Sequence, residues 1–485
     1  MRALHVGRRL SRWIAALSVI ALAGCATGGA ARMPGPQAGS AHEAATVRHF
    51  ESIRQSPPEL AAFLRAMPKG ADLHNHLSGG VYAESYLTWA AAQGLCVTMA
   101  TLEVSASPCE APAEVPASDA LRNGVLYRRL IDSMSMRNWE LSGQSGHDHF
   151  FDAFAKFGRA TQGNTGAMLA EAVARAADGN VSYMELMLTP DGNFSGQLGA
   201  ALDWDGNMES ALQKLKAAGI DGAIARTATL LRDAETRKAA LLKCGTAEAD
   251  PGCRVTVRYI AQVGRLGAPG SVFAQMITGL ALANDPASGV VGVNMVQGED
   301  GFASMTNFAT HMRMLAFLRP RYPGARLTLH AGELAWGLVP PEGLRNHVRD
   351  SVMVAGAERI GHGVDIMHED DPYGLLREMA HRKVLVEICL SSNDLILGVR
   401  GADHPLRTYI KYGVPVALAT DDEGVARSEI TREYLKAVLE QGLGYRDLKR
   451  MAQASLDHAF VDATEKARLI GELRAAFDAF ERRHQ

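Results

Sequence analysis

The chain has 485 residues, 47% of them hydrophobic and 21% charged, enough to bury a large core and too apolar for a disordered or fibrous protein. Its formal net charge of −3 supplies no general pull toward nucleic acid, which weighs against a polyanionic partner and favours a small-molecule ligand.

In chain order, the first feature is a basic start, Arg2, Arg8, Arg9 and Arg12, ahead of the apolar segment Trp13 to Ala23 that runs into Leu22-Ala23-Gly24-Cys25. A short apolar run ending in small residues and a cysteine is the pattern of a bacterial lipoprotein signal. At about 11 residues the run is too short to cross a hydrocarbon core of roughly 30 Å. Residues 1–24 are therefore expected to be removed as a signal peptide. Lipid on Cys25 would then tether an exported chain to the periplasmic or cell-surface face of a bacterial membrane, its only contact with a membrane. The small-residue and proline stretch that follows reads as a flexible tether over residues 25–45. From Thr46 to Gln485 no second linker, repeat or low-complexity block interrupts a globular pattern, so one domain over 46–485 is expected.

Within that domain, short apolar runs alternate with longer amphipathic stretches. The runs are Ala71 to Leu73, Val181 to Leu188, Val255 to Val263, Val290 to Val296, Arg326 to Leu329, Arg359-Ile360, Val384 to Ile388 and Val414 to Ala419. Helical patterns such as Asn207 to Ala218, Met305 to Leu318 and Glu429 to Leu443 lie between them, the alternation that builds a parallel sheet covered by helices. Eight such units predict a closed (β/α)₈ barrel of the TIM type. Residues 96–149 fit no barrel unit and are expected as an insertion near the N-terminal unit, with the Pro- and Ser-containing stretch Ser105 to Ser118 as a loop over the barrel mouth. In an oxidising compartment Cys96 with Cys109, and Cys244 with Cys253, read as local disulfides, each closing a short polar loop. Cys389 follows an apolar run and reads as a buried free thiol.

Polar residues at the ends of several strands carry the chemistry. Side chains alternate along a strand, so His74 and His76 face one side while Asn75 faces the other, and two imidazoles can converge on one ion. A second triplet, His147-Asp148-His149, opens a helical pattern, where Asp148 reads as a cap rather than part of a metal site. His330 ends its strand three residues before Glu333, which places a candidate nitrogen ligand beside a candidate proton carrier. Taken alone, His330-Ala-Gly-Glu333 is equally a strand-ending histidine and a helix-start glutamate. His362 lies between two glycines just past a strand, where a ligand can approach closely. Glu387, Ser391 and Asn393 follow the next strand and fit either a supporting role at the mouth or a structural one. Asp421 and Asp422 end the last strand and, being adjacent, point in different directions, so one can bind metal while the other meets a substrate.

In this order, Pro68-Lys-Gly-Ala-Asp-Leu-His-Asn-His76, His330-Ala-Gly-Glu333, Arg359-Ile-Gly-His-Gly363, Glu387-Ile-Cys-Leu-Ser-Ser-Asn393 and Thr420-Asp-Asp422 resemble the adenosine deaminase family from about Pro68 to Val425. The resemblance implies one zinc ion per chain held by His74, His76, His330 and Asp421, with a water whose pKa the ion lowers. It further implies that Glu333 protonates purine N1, that His362 orients the attacking oxygen, that Asp422 bonds N7 and that the backbone N–H of Gly298 faces N3. The implied reaction is hydrolytic deamination of adenosine or 2′-deoxyadenosine. Many members carry an acidic residue against the ribose two positions after the second histidine, and this chain has Ser78 there. Adenine or a modified adenosine is therefore the alternative substrate.

Three rivals have their own sequence requirements. A binuclear amidohydrolase would need a lysine in or just after Val290 to Val296, and none is present. The cytidine-deaminase class would need His-x-Glu with Pro-Cys-x-x-Cys, and that arrangement is absent. A lipid-anchored solute-binding protein would account for export but not for Glu333 beside a metal ligand.

Overall fold

Strands buried on both faces must pair in parallel with helices covering the outside, and the eight apolar runs do so in the computed structural model, which describes residues 40–484. They form β1 (Gly70–His76), β5 (Val181–Leu188), β6 (Thr256–Gly264), β7 (Val290–Val296), β8 (Arg326–Ala331), β9 (Arg359–His362), β10 (Leu385–Ile388) and β11 (Val416–Leu418). Neighbours pair in parallel in the order β1-β5-β6-β7-β8-β9-β10-β11, and a parallel bridge between Asn75 and Asp421 joins the last strand to the first. The fold is thus the expected (β/α)₈ barrel, and the seam that closes it runs between two of the polar strand ends.

Helices fill the crossovers. Met208–Ala217, Phe302–Leu318 and Ile430–Leu439 match the amphipathic stretches read from sequence. Pro269–Ala283 is apolar nearly all round and almost wholly buried, as a helix packed on both sides must be.

The signal peptide, Cys25 and the tether up to residue 39 lie outside the described residues. Residues 41–45, expected as tether, belong instead to the helix Ala41–Ile53. That helix is tied to the C-terminal part of the chain, because Glu43 pairs with Arg446 and Lys449. No helix among the described residues is long and apolar enough to cross a membrane.

The insertion also departs from expectation. None of the residues from Ser105 to Ser118, expected as a loop over the mouth, lines the cavity at the strand ends. Residues of that stretch contribute to a small antiparallel sheet of β2 (Cys96–Thr98), β3 (Val104–Ser105) and β4 (Glu114–Pro116), ordered β3-β2-β4. The Cys96–Cys109 disulfide ties this hairpin region back on itself, and Cys244 pairs with Cys253 across the other polar loop. Cys389 is a buried free thiol.

Inside the barrel, one layer is fully paired. The guanidinium of Arg359 donates to Glu387 Oε1 at 2.6 Å, to Glu185 and to the His458 carbonyl at 3.0 Å, and it lies 3.7 Å over the Phe460 ring. Glu185 Oε1 in turn accepts from Tyr183 and from the Phe460 N–H. Side chains from β5, β9 and β10 thereby form a charged floor beneath the C-terminal mouth.

Candidate active site

The polar strand ends meet above that floor, at the end of a parallel barrel where ligands bind. His74 and His76 leave β1 on the same side, His330 comes from the end of β8, and Asp421 follows β11. Nε2 of His330 lies 3.1 Å from Nε2 of both His74 and His76. Asp421 Oδ1 is 3.4 Å and 3.2 Å from the same two nitrogens, without the alignment of a hydrogen bond. One ligand atom from each of the four residues falls within 4.8 Å of the others, and all four residues are buried.

The surroundings decide which atoms are free. Asn294 Oδ1 accepts from both the backbone N–H and the Nδ1–H of His330 (2.8 and 2.9 Å), which leaves the Nε2 lone pair bare. Glu387 Oε2 holds His74 Nδ1 at 2.6 Å, the Gln262 amide lies 2.6 Å from His76 Nδ1, and the Ser392 hydroxyl donates to Asp421 Oδ2 at 2.6 Å. A Cβ on Gly361 would stand 2.6 Å from the His74 ring, so a glycine on β9 is what lets that imidazole fit. Three imidazole nitrogens and a carboxylate oxygen that converge this closely suit a borderline cation of the zinc type, and magnesium or calcium poorly. Burial and the neighbouring imidazoles push His330 well below its usual pKa. Burial also acts to lower His74, but the Asp421 and Glu387 carboxylates overcome it and raise the group to about 10. Filling the site with a cation would therefore release a proton from His74.

Beside this cluster stand three more groups. Glu333 is buried, and burial followed by the nearby Asp421 carboxylate pushes it up to about 8, so it is protonated at neutral pH. His362 Nε2 lies 3.6 Å from Glu333 Oε1 and 4.0 Å from Asp421 Oδ2, and burial holds the ring neutral with a pKa of about 3. Asp422 is raised well above the carboxylate range by burial and by Asp421, and its Oδ1 makes no hydrogen bond among the described residues. His362 and Asp421 both have positive φ, 67° and 61°, backbone strain concentrated where two polar groups are aimed inward.

The cluster opens into a cavity of about 670 Å³, within the range of small-molecule sites. Ser78, Gly298 and Asp422 line it, and the Ser78 carbonyl accepts from the Tyr86 hydroxyl at 2.6 Å. One wall comes from the helix Gly146–Phe157, through His147, Phe150, Phe151 and Phe154. Asp148 does not cap that helix as expected; Ser145 Oγ does, accepting from the Asp148 N–H at 3.0 Å. His149 is buried and bonded to the Asp132 and Ser135 carbonyls, while His147 reaches Asp300 Oδ1 at 3.1 Å.

Several residues of the site had no mark in the sequence. Gln262 and Asn294 sit within apolar strands and look like ordinary strand residues. Glu299 is buried and accepts from the Gly332 and Glu333 N–H groups (3.2 and 2.8 Å) and from His347 Nδ1 at 2.6 Å, which fixes the turn carrying Glu333. Its adjacency to Gly298 was the available signal.

Residues 145–476 match the family model described as adenosine deaminase. The chain belongs to the adenosine deaminase family. That match begins after β1, so His74 and His76 lie outside the matched residues and join His330 and Asp421 through the fold. Adenosine deaminase from Yersinia pseudotuberculosis is 34% identical over 182 residues, 37% of this chain and 49% of that protein. The chain thus aligns with about half the length of such curated relatives. Among solved structures, adenine deaminase from Arthrobacter aurescens superposes with a TM-score of 0.56 at 18% identity, over 85% of this chain and 99% of that one. The N6-methyl-AMP deaminase of Arabidopsis thaliana gives 0.57 at 19%, over 86% and 98%. At such identities the likeness is one of fold.

Proposed function

We propose that this chain hydrolyses the exocyclic amine of a purine nucleoside, converting adenosine or 2′-deoxyadenosine to the 6-oxopurine nucleoside and ammonia with one zinc ion per chain. The reading is carried by one juxtaposition: a protonated buried carboxyl, Glu333, faces the same cavity as the His74, His76, His330 and Asp421 cluster. Those four residues would hold zinc, which when bound acidifies water at neutral pH. Glu333 supplies a proton to N1 as the ring loses aromaticity, a task matched to a carboxyl that titrates near the working pH. His362, neutral, presents Nε2 toward Glu333 and Asp421 and orients the oxygen that adds at C6. Asp422, kept protonated by burial and by Asp421, donates its carboxyl O–H to N7, and the Gly298 N–H donates to N3. Water adds across C6 and N1, its oxygen bonding C6 and one of its protons replacing the one Glu333 gave to N1; the C6–N bond then breaks as the amine takes the proton of the added hydroxyl, leaving a 6-oxo group and ammonia.

The cavity wall supports a nucleoside over a nucleotide. No lysine or arginine lines it among the described residues, whereas Asp300, Glu333, Asp421 and Asp422 do. His147, raised to about 9 chiefly by its hydrogen bond to Asp300, is already paired. A phosphate would thus meet acidic side chains with no free cation to bind it. The neutral polar residues Ser78, Thr189 and Asn193 in the cavity lining suit sugar hydroxyls and give Ser78 a place in the sugar grip.

Ammonia release from adenosine, 2′-deoxyadenosine, adenine, AMP, N6-methyl-AMP, guanine and cytidine, with metal content measured on the same sample, tests the proposal. Turnover of the two nucleosides with zinc near one per chain is expected. Two metals per chain, or no turnover of any aminopurine, would overturn it, and turnover of bound metal-loaded protein limited to adenine or AMP would move the substrate.

We also propose that the mature protein is exported and lipid-anchored through Cys25, a reading supported by the signal-like residues 1–25 and by two disulfides that persist only in an oxidising compartment. Incorporation of labelled palmitate that disappears in Cys25→Ser is the expected result. Equal labelling of both forms would sink the anchor.

A further inference from the structure

The ring of His362 has two nitrogens, and only a proton on Nε2 lets a neutral imidazole donate into the cavity. A line of hydrogen bonds behind the ring fixes that choice. It starts at the backbone N–H of Leu406, which donates to His404 Nδ1 at 3.1 Å. A backbone N–H can only donate, so His404 Nδ1 must accept and the proton of a neutral His404 must sit on Nε2. His404 Nε2 lies 3.0 Å from Asn393 Oδ1, and Asn393 Nδ2 lies 3.0 Å from His362 Nδ1. Followed outward from Leu406, each acceptor forces the next group to donate, and the last step makes His362 Nδ1 an acceptor. Nε2, which has no partner among the described residues, is then left carrying the hydrogen toward Glu333 and Asp421.

His404, Asn393 and His362 are 3%, 0% and 0% exposed, so water cannot rescue a mismatched donor along the line. Moving the proton to Nδ1 would set N–H against N–H at a buried contact, and turning the Asn393 amide would only shift the clash to His404. Burial holds His404 neutral, with a pKa of about 4, which preserves the polarity of its end of the line.

We propose that His404 and Asn393 are positioning residues whose one-way hydrogen-bond line, anchored at the Leu406 N–H, holds the proton of His362 on Nε2. The consequence for turnover rests on the deaminase reading above, but the tautomer does not. The same geometry makes Asn393→Asp the informative variant. A carboxylate of nearly the same shape accepts from His404 with one oxygen and from His362 with the other, which reverses the last step and draws a proton to Nδ1.

The test is long-range ¹H–¹⁵N correlation on metal-loaded, ¹⁵N-histidine-labelled protein, with the His362 signals identified by their loss in His362→Gln. His362 is expected as the Nε2–H form in the natural chain and in His404→Gln, whose amide N–H replaces the donor. In Asn393→Asp it is expected with a proton on Nδ1. In parallel, Asn393→Asp and His404→Ala should lower kcat roughly 10²-fold with KM little changed, and His404→Gln should recover most of it. Melting curves of the near-isosteric Asn393→Asp and His404→Gln separate this from loss of fold. A proton on His362 Nδ1 in the natural chain, or an unchanged Nε2–H form in Asn393→Asp, would overturn the proposal. An Nε2–H form that reverses in Asn393→Asp, in a protein that deaminates no purine, would uphold the line and defeat the deaminase reading.

Discussion

Arg359 and Asp421 are both charged groups buried inside the same barrel, yet their surroundings are opposites. Arg359 stands in the floor, where its guanidinium meets Glu387, Glu185, a carbonyl and an aromatic face, and Glu185 is itself completed by Tyr183 and the Phe460 N–H. Asp421 stands in the mouth, where Asp421 Oδ1, Asp422 Oδ1 and His362 Nε2 are buried without a hydrogen bond among the described residues. A buried polar group left unpaired costs on the order of 1–3 kcal/mol, so groups of this kind persist where a ligand is meant to complete them. The floor is thus a platform and the mouth a site. Glu387 belongs to both, with Oε1 facing Arg359 and Thr328 and Oε2 facing His74.

If that division is right, substitutions in the two layers will fail in different ways. The largest effects belong to the mouth. His74→Ala is expected to lose both metal and activity, whereas Glu333→Gln should keep metal and lose roughly 10²–10⁴-fold in kcat, read from metal content and steady-state kinetics on the same preparations. Normal turnover by Glu333→Gln would remove it from the proton path. In the floor, Arg359→Met strands two carboxylates, and a stability loss of about 3–5 kcal/mol is expected from denaturant midpoints. A stable Arg359→Met protein that had lost only activity would show that the floor is part of the chemistry. Between them, Glu387→Gln keeps the shape but weakens the grip on His74 Nδ1, and metal affinity measured by competition with a chelator should fall about 10–100-fold. An unchanged affinity would uncouple the layers.

The mouth was far more legible in sequence than what supports it, for a physical reason. His74, His76, His330, Asp421 and Asp422 end apolar strands, where a polar residue breaks the pattern, and period two says which of them share a side. The eight strands were legible for the same reason. Arg359 and Glu387 also break the pattern, but Arg359 completes its pairing with Glu185 from across the barrel, and nothing local says that these groups satisfy one another. His404 and Glu299 are visible only once loops from different units meet. Phe150, Phe151 and Phe154 belong to an amphipathic helix, and periodicity cannot say whether its apolar face meets the core or a cavity. Asp148 was misplaced because both it and Ser145 are good capping residues, and only the backbone geometry chooses between them.

The smallest expected effect concerns pH and separates the layers without touching the metal ligands. In metal-free protein Glu333 is raised from 4.5 to about 8 by burial first and by Asp421 second. The folded state therefore binds more protons than the unfolded state between those values, so this contribution is fully present below about 4.5 and is lost as pH rises through about 8. Glu387 has the opposite sign: burial acts to raise it, but Arg359 and His74 hold it below the usual range, so its contribution is lost as pH falls. His74, raised to about 10, also favours the folded state less as pH climbs, which is why the comparison must be made between variants that both keep His74. Melting temperatures of chelator-treated protein should therefore fall between mildly acidic and mildly alkaline pH, and fall less in Glu333→Gln. A bound cation should flatten the same slope, because it stabilises the carboxylate that burial disfavours. If Glu333→Gln and the natural chain lost stability in parallel across that window, Glu333 would be ionised in the folded state at neutral pH, and the contrast between a paired floor and a proton-holding mouth would lose its clearest electrostatic mark.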